Sequence, residues 1–242
     1  MKRIWTSVET IETTGGFTVL LDRKPIKKPS GTPLTMPFAA LAEAVAAEWR
    51  SAGLDGGEIK PDDLPLTRMT TTAIDRVAKS YDDIINQLVG YGLNDALCYR
   101  AETPASLAAL ERAQWQPWLN WATDTYGVKL NTGFGITPII QPPGTADVFH
   151  EAMRAFDIYQ LTALGVAVPA LGSLVLGLAL SQHELDAQTA FDIAHIEEKF
   201  QVERWGTDDL AEERRLAILT DLQLCVRFMA LCDQKNNHDI KI

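Results

Sequence analysis

The sequence predicts an α+β protein, with a small antiparallel β-rich N-terminal domain followed by a larger all-helical C-terminal domain. Three observations predict it. Residues 4–36 carry short apolar runs separated by Gly15-Gly16, Asp22 to Pro25 and Pro29 to Thr32, which is turn chemistry at hairpin spacing. Residues 54–65, LDGGEIKPDDLP, have the Gly, Pro and Asp content of a linker. Beyond them apolar residues recur at three- and four-residue spacing. The expected domains are residues 1–60 and 61–242.

In the first domain IWTSVET, FTVLL, IKK and PLTM read as strands. Pro37 opens a helix with Phe38, Leu41, Ala42, Val45 and Trp49 on one face, and Gly53 suits its end. In the second domain Ile74, Val77, Tyr81, Ile84, Ile85 and Leu88 predict one helix, ended near Gly90 and Gly92. Another opens at Thr103-Pro104 and runs through Leu107, Leu110 and Trp115 towards Gly127, with Pro117 expected to kink or split it. Residues 128–143 are extended and free to return a strand to the first sheet. Thr145 is the expected cap of a helix reaching Tyr159, and Pro169 of an apolar one. Asp186 caps a helix to Trp205, closed by Gly206. Thr207 caps the last one, to about Cys232, and the polar 235–242 end is expected to fray.

The 242 residues are 46% hydrophobic and carry 22 basic against 32 acidic side chains, a net charge of −10. The excess acid lies beyond residue 60: eight basic and seven acidic residues in 1–60, seven and twelve in 61–180, seven and thirteen in 181–242. That sign opposes nucleic-acid binding and favours steering of a basic partner. Cys98, Cys225 and Cys232 cannot all pair, which fits a reducing compartment. Residues 161–180 carry no charge over a length able to span a bilayer. Gly165 and Pro169 are expected to divide them, and no Lys or Arg anchors the flanks, so they read as a buried core helix.

Catalytic signatures are sparse. The chain has no Walker loop, no G-x-S-x-G elbow and no H-E-x-x-H. Gly133-Phe134-Gly135 lacks the third glycine of a dinucleotide fingerprint and reads as a loop. His195 and Glu198 stand three apart on a presumed helix, but a metal site needs several convergent ligands. Their plain reading is a half-buried hydrogen bond, and their enzymatic one a small carboxylate-dependent hydrolase. Arg23, Lys24, Lys27 and Lys28 suit a solvated hairpin tip, while Arg68 and Arg76 suit capping and helix pairing or an anion site. In residues 195–215 seven carboxylates surround Phe200, Trp205 and a Gly206 turn. Phe191, Glu198, Val202 and Trp205 fall on one helical face. This is either a protein-binding rim around an aromatic anchor or a solvated hairpin over a core tryptophan.

Five segments in order resemble one family: FTVLLDRKPIKKPSGTPLTMP with LAEAVAAEW, PLTRMTTTAIDR, CYRAETPASLAALERAQWQPWLNW, GSLVLGLAL, and EEKFQVERWGTDDLAEERR. The family is the assembly chaperone of the alpha subunit of the ATP synthase catalytic head, and the resemblance covers about residues 5–230. It implies a β-rich N-terminal domain before a helical one. It also implies a non-enzymatic role, no cofactor or nucleotide of its own, and the unassembled alpha subunit as partner until the beta subunit replaces it. The location implied is the bacterial cytoplasm, or the mitochondrial matrix in a eukaryote. The expected partner-binding residues are Glu198, Gln201, Glu203, Trp205 and Asp208, with Gly206 shaping the turn.

Overall fold

The computed structural model describes residues 1–135, 137–206 and 209–233. The chain divides into two compact units, and an antiparallel sheet followed by helices makes it α+β. The first unit holds Met1–Ser80 with Ile158–Thr162 and, among the described residues, 227–233.

In that unit β1 (Val8–Thr13) and β2 (Gly16–Leu21) form a hairpin with Val8 opposite Leu21 and Thr13 opposite Gly16. Only glycine fits at 16: its φ is +118° and a Cβ would lie 2.4 Å from the Met36 carbonyl oxygen. On the other edge of β2, β3 (Lys24–Pro25) pairs at one end and β4 (Thr35–Met36) at the other. Asp22 and Arg23 both take positive φ in the turn that reverses the chain into β3. The Asp22 carboxylate accepts from the Ser7 amide at 2.8 Å and the Thr6 amide at 3.0 Å, which ties down the segment entering β1.

Helix α1 (Ala39–Ser51) covers the sheet with Leu41, Ala42, Val45, Ala46 and Trp49. The Trp5 indole packs against Trp49 at 5.2 Å and donates to its carbonyl at 3.1 Å. Glu48 caps the start of α2 (Pro65–Asp75), accepting from the Leu66 and Thr67 amides at 2.6 and 2.9 Å. The periodicity that predicted one helix over 74–88 is broken: α2 ends at Asp75, Val77–Lys79 forms a 3-10 turn, and α3 (Tyr81–Leu93) starts afresh. Arg68 pairs with Asp62 and Lys28 with Asp75. Tyr159 stacks edge-on against Phe38 at 5.1 Å and lies 6.2 Å from Phe228, so two later segments belong to this core.

The second unit is helical and comprises Tyr81–Asp157 and Ala163–Val226. Helix α3 leads through a 3-10 turn at Ala96–Cys98 to β5 (Tyr99–Arg100) and α4 (Ala105–Tyr126). Pro117 does not split α4. It and Ala113, whose carbonyl loses its donor, are both exposed, so water can replace the lost bond. The partner of β6 (Gly133–Phe134) is β5, in parallel, with Tyr99 opposite Gly133. Gly144, not Thr145, is the N-cap of α5 (Thr145–Arg154), and Tyr159 falls on the next helix, α6 (Ile158–Leu171).

Gly165 and Pro169 do not divide the apolar stretch, since Pro169 is held in the last turn of α6. The break falls four residues later than Pro169, at Ser173, whose hydroxyl accepts from the Leu176 amide at 3.1 Å and starts α7 (Leu174–Ser181). Every residue of α7 from Leu174 to Leu180 is buried. Beneath it Asp95, fully buried, accepts from the Val175 amide at 3.0 Å and the Leu97 amide at 3.1 Å. Among the described residues no helix is long and apolar enough to cross a membrane. All three cysteines are buried. The expected cap at Thr207 and the frayed 235–242 end lie outside the described residues.

Candidate partner-binding surface

The acidic segment spans two helices of the second unit and the start of a third. Helix α8 (Ala187–Ala194) starts at Asp186, whose carboxylate accepts from the Thr189 amide at 2.9 Å and its hydroxyl at 2.7 Å. The helix expected to continue to Trp205 stops at His195, with φ −106° and ψ 28°. The His195 ring stacks on Phe191 at 4.2 Å, and its Nδ1 lies 2.9 Å from the Phe191 carbonyl. That bond holds the ring back over α8, and α9 (Ile196–Trp205) begins as a separate helix. Among the described residues no His195–Glu198 hydrogen bond forms, so the pair of the hydrolase reading is not brought together.

Helix α9 carries Glu197 and Glu198 in its first turn and Arg204 in its last, the order its dipole favours. Glu198 is half-buried, whereas Gln201, Glu203, Trp205 and Gly206 are exposed. Trp205 stands 76% exposed, which removes the core-tryptophan reading. The face expected to join Phe191, Glu198, Val202 and Trp205 is not shared, because the break at His195 leaves Phe191 buried on α8. Gly206 closes α9 at φ +84° and ψ 171°, a region that side chains other than glycine scarcely enter. Asp208 lies outside the described residues. Past it α10 (Asp209–Leu231) presents Leu210, 79% exposed, and Leu216.

A groove of about 420 Å³ runs between α4, α8 and α9. Ile193 and Ile196 form its buried floor, Leu110 and Phe200 its walls, and Asp192 and Glu203 its acidic rim, beside Lys199. The Arg204 guanidinium sits 4.2 Å over the Phe200 ring. Leu110, one of the apolar residues through which the predicted helix runs, is 39% exposed. Spacing alone could not find the groove, because its walls lie about ninety residues apart in sequence.

Buried polar groups hold this framework. The Trp115 indole donates to the Ile193 carbonyl at 2.8 Å, and the Arg100 guanidinium sits 5.1 Å over that ring. Glu111, fully buried on α4, accepts from the Ala101 amide at 2.7 Å. Burial first, then the neighbouring Glu197 carboxyl, raises the Glu111 pKa, while the Ala101 amide and Arg100 oppose the shift. Burial also pushes the thiols of Cys98 and Cys225 up to about 12, leaving neither a reactive thiolate at neutral pH.

Comparison with known proteins agrees with this architecture. The family described as "ATP12 chaperone protein" matches residues 2–123. Protein atp12, mitochondrial, of Schizosaccharomyces pombe is 26% identical over 256 residues, covering 98% of this chain and 86% of that protein. Among solved structures, Atp12 from Paracoccus denitrificans superposes with a TM-score of 0.90 at 36% identity, covering 96% of this chain and 98% of that one. A protein from Agrobacterium tumefaciens does so with the same TM-score at 32% identity, covering 96% and 86%.

Proposed function

The chain belongs to the ATP12 chaperone family of ATP synthase assembly, and from that premise we propose that it holds the unassembled alpha subunit until the beta subunit takes its place. A free subunit of a ring exposes an apolar face that its neighbour later covers, and such a face aggregates. A chaperone for it must cover that face and still release it. The observation that carries this reading is Trp205, a 76% exposed tryptophan at the end of a helix bearing Glu198 and Glu203. Large aromatics anchor protein interfaces, while rim carboxylates speed encounter and weaken with salt. Glu198, Gln201, Glu203 and Trp205 are the contact residues of this proposal, with Gly206 setting the direction of the indole. Relatives in a mitochondrion and in bacteria support a matrix or cytoplasmic site of action.

The test is light scattering of aggregating ATP synthase alpha subunit with increasing amounts of this protein and no nucleotide. An acidic protein of similar size serves as control. Suppression that saturates at a fixed ratio and is relieved by beta subunit supports the reading. Suppression no better than the control overturns it.

A further inference from the structure

We propose that the groove between α4, α8 and α9 receives the apolar edge of a basic amphipathic helix of the client. This deepens the chaperone reading and rests on it.

The chemistry of the groove selects the occupant. Its floor, Ile193 and Ile196, and its walls, Leu110 and Phe200, offer an entering chain apolar contact, with Gln114 and Thr189 the uncharged polar side chains of the lining. The walls are helices, whose backbone groups are already paired within each helix. An extended segment laid here would find no strand edge to bond, so the entering segment must satisfy its own backbone, as a helix does. At about 420 Å³ the space is near the small end of ligand-sized sites, roughly 300–1,000 Å³. It admits side chains from one helical face.

Charge sets the sign of the flanks. Between Asp192 and Arg204 the carboxylates are Asp192, Glu197, Glu198 and Glu203, against the cations Lys199 and Arg204. Of those two cations, Arg204 already lies on the Phe200 ring, 4.2 Å from its centre. Arg204 does not line the groove, so its guanidinium does not add to the charge a client meets inside it. Lysine or arginine beside the apolar edge would meet the Asp192 and Glu203 rim, whereas a client with acidic flanks would be repelled.

The experiment uses the full chain and two labelled 18-residue synthetic helices with the same leucine face, one flanked by lysine and the other by glutamate. Fluorescence anisotropy at low and moderate salt reads the affinities. The expected result is binding of the lysine helix at least tenfold tighter than of the glutamate helix. Leu110→Gln and Glu203→Lys should each weaken the lysine helix at least fivefold with an unchanged circular-dichroism melt. Both positions are exposed enough for the folded chain to tolerate the change. Equal affinity for the two helices, or full affinity in both variants, overturns the proposal.

The same variants then enter the alpha-subunit scattering assay. If wild type protects alpha and Leu110→Gln, which touches none of the contacts named for the chaperone reading, protects equally well, the groove is not the client site and the chaperone reading stands. If wild type fails to protect, the chaperone reading falls, and with it the assignment of the groove to a client.

Discussion

The Trp115 indole nitrogen and the Ile193 carbonyl, 78 residues apart in sequence, meet at 2.8 Å in the buried space between α4 and α8. Ile193 is the last full turn before the chain breaks at His195, so this bond fixes where α8 ends and α9 departs. The floor of the groove is held by the same contact.

Trp115→Phe keeps an aromatic ring but removes the donor, leaving a buried carbonyl unpaired and the Arg100 guanidinium on a smaller ring. The expected loss is about 2–3 kcal/mol in urea unfolding, with reduced protection of alpha below the melting point. A variant as stable as wild type would show that the bond does not hold the junction.

Trp205→Ala should leave the melt within about 0.5 kcal/mol of wild type, because the indole is exposed. Protection of alpha in the scattering assay should fall at least tenfold. Gly206→Ala tests the same anchor differently. The backbone at φ +84° and ψ 171° costs a side chain about 1–3 kcal/mol, so the turn relaxes and the indole changes direction. Gly206→Ala should therefore lose protection with Trp205 still present.

Asp95 and Asp22 predict opposite pH arms. Burial, partly offset by amide hydrogen bonds, pushes the Asp95 pKa from 3.8 up to about 6. The folded chain then holds this proton more tightly than the unfolded one. The associated stability is complete below about pH 4 and is lost as pH rises through about 6. The loss is on the order of 3 kcal/mol. Asp95→Asn removes this arm, and an amide in place of one acceptor destabilises the chain by about 1–3 kcal/mol. Its penalty should be larger at pH 4 than at pH 7 in denaturant titrations.

At Asp22 the amide bonds from Ser7 and Thr6 hold the carboxylate down at about 2. Its contribution is present above about pH 4 and is lost as pH falls through 2. Asp22→Asn should flatten that acid limb and leave the neutral melt of the second unit unchanged.

Glu48→Ala tests the seat of α2 in the first unit. It strands the Leu66 and Thr67 amides at the helix start, and the expected cost is about 1–2 kcal/mol. Hydrogen exchange should show those two amides losing protection first.

Much of this architecture was legible in the sequence. Gly15-Gly16 and the Asp22 to Pro25 turn marked the hairpin and the strand after it, and Leu41, Val45 and Trp49 marked the face of α1 that covers the sheet. Trp205 and its carboxylates stand out in the sequence, since an aromatic among like charges is unusual. Other features depart from the local pattern for identifiable reasons. Ile74 to Leu88 keep helical spacing across the Val77–Lys79 turn, because hydrophobic period does not register a local tightening of the chain. Pro169 has the residue type of a helix start, but the Gly165 carbonyl that loses its donor is exposed, so water replaces the bond and the helix runs on to Leu171.

By itself the sequence determined that a short-stranded region precedes a helical one, and the acidic, tryptophan-bearing character of residues 195–205. These follow from local chemistry: turn residues, caps, and the period at which apolar side chains repeat. Only the tertiary structure decided that β6 pairs with Tyr99–Arg100, that Asp95 and Glu111 are buried acids, and that Leu110 stands open beside Phe200. Periodicity says which face of an element avoids water but not which other element covers it. The groove exists because Trp115 bonds Ile193 across 78 residues, a relation that no local pattern encodes.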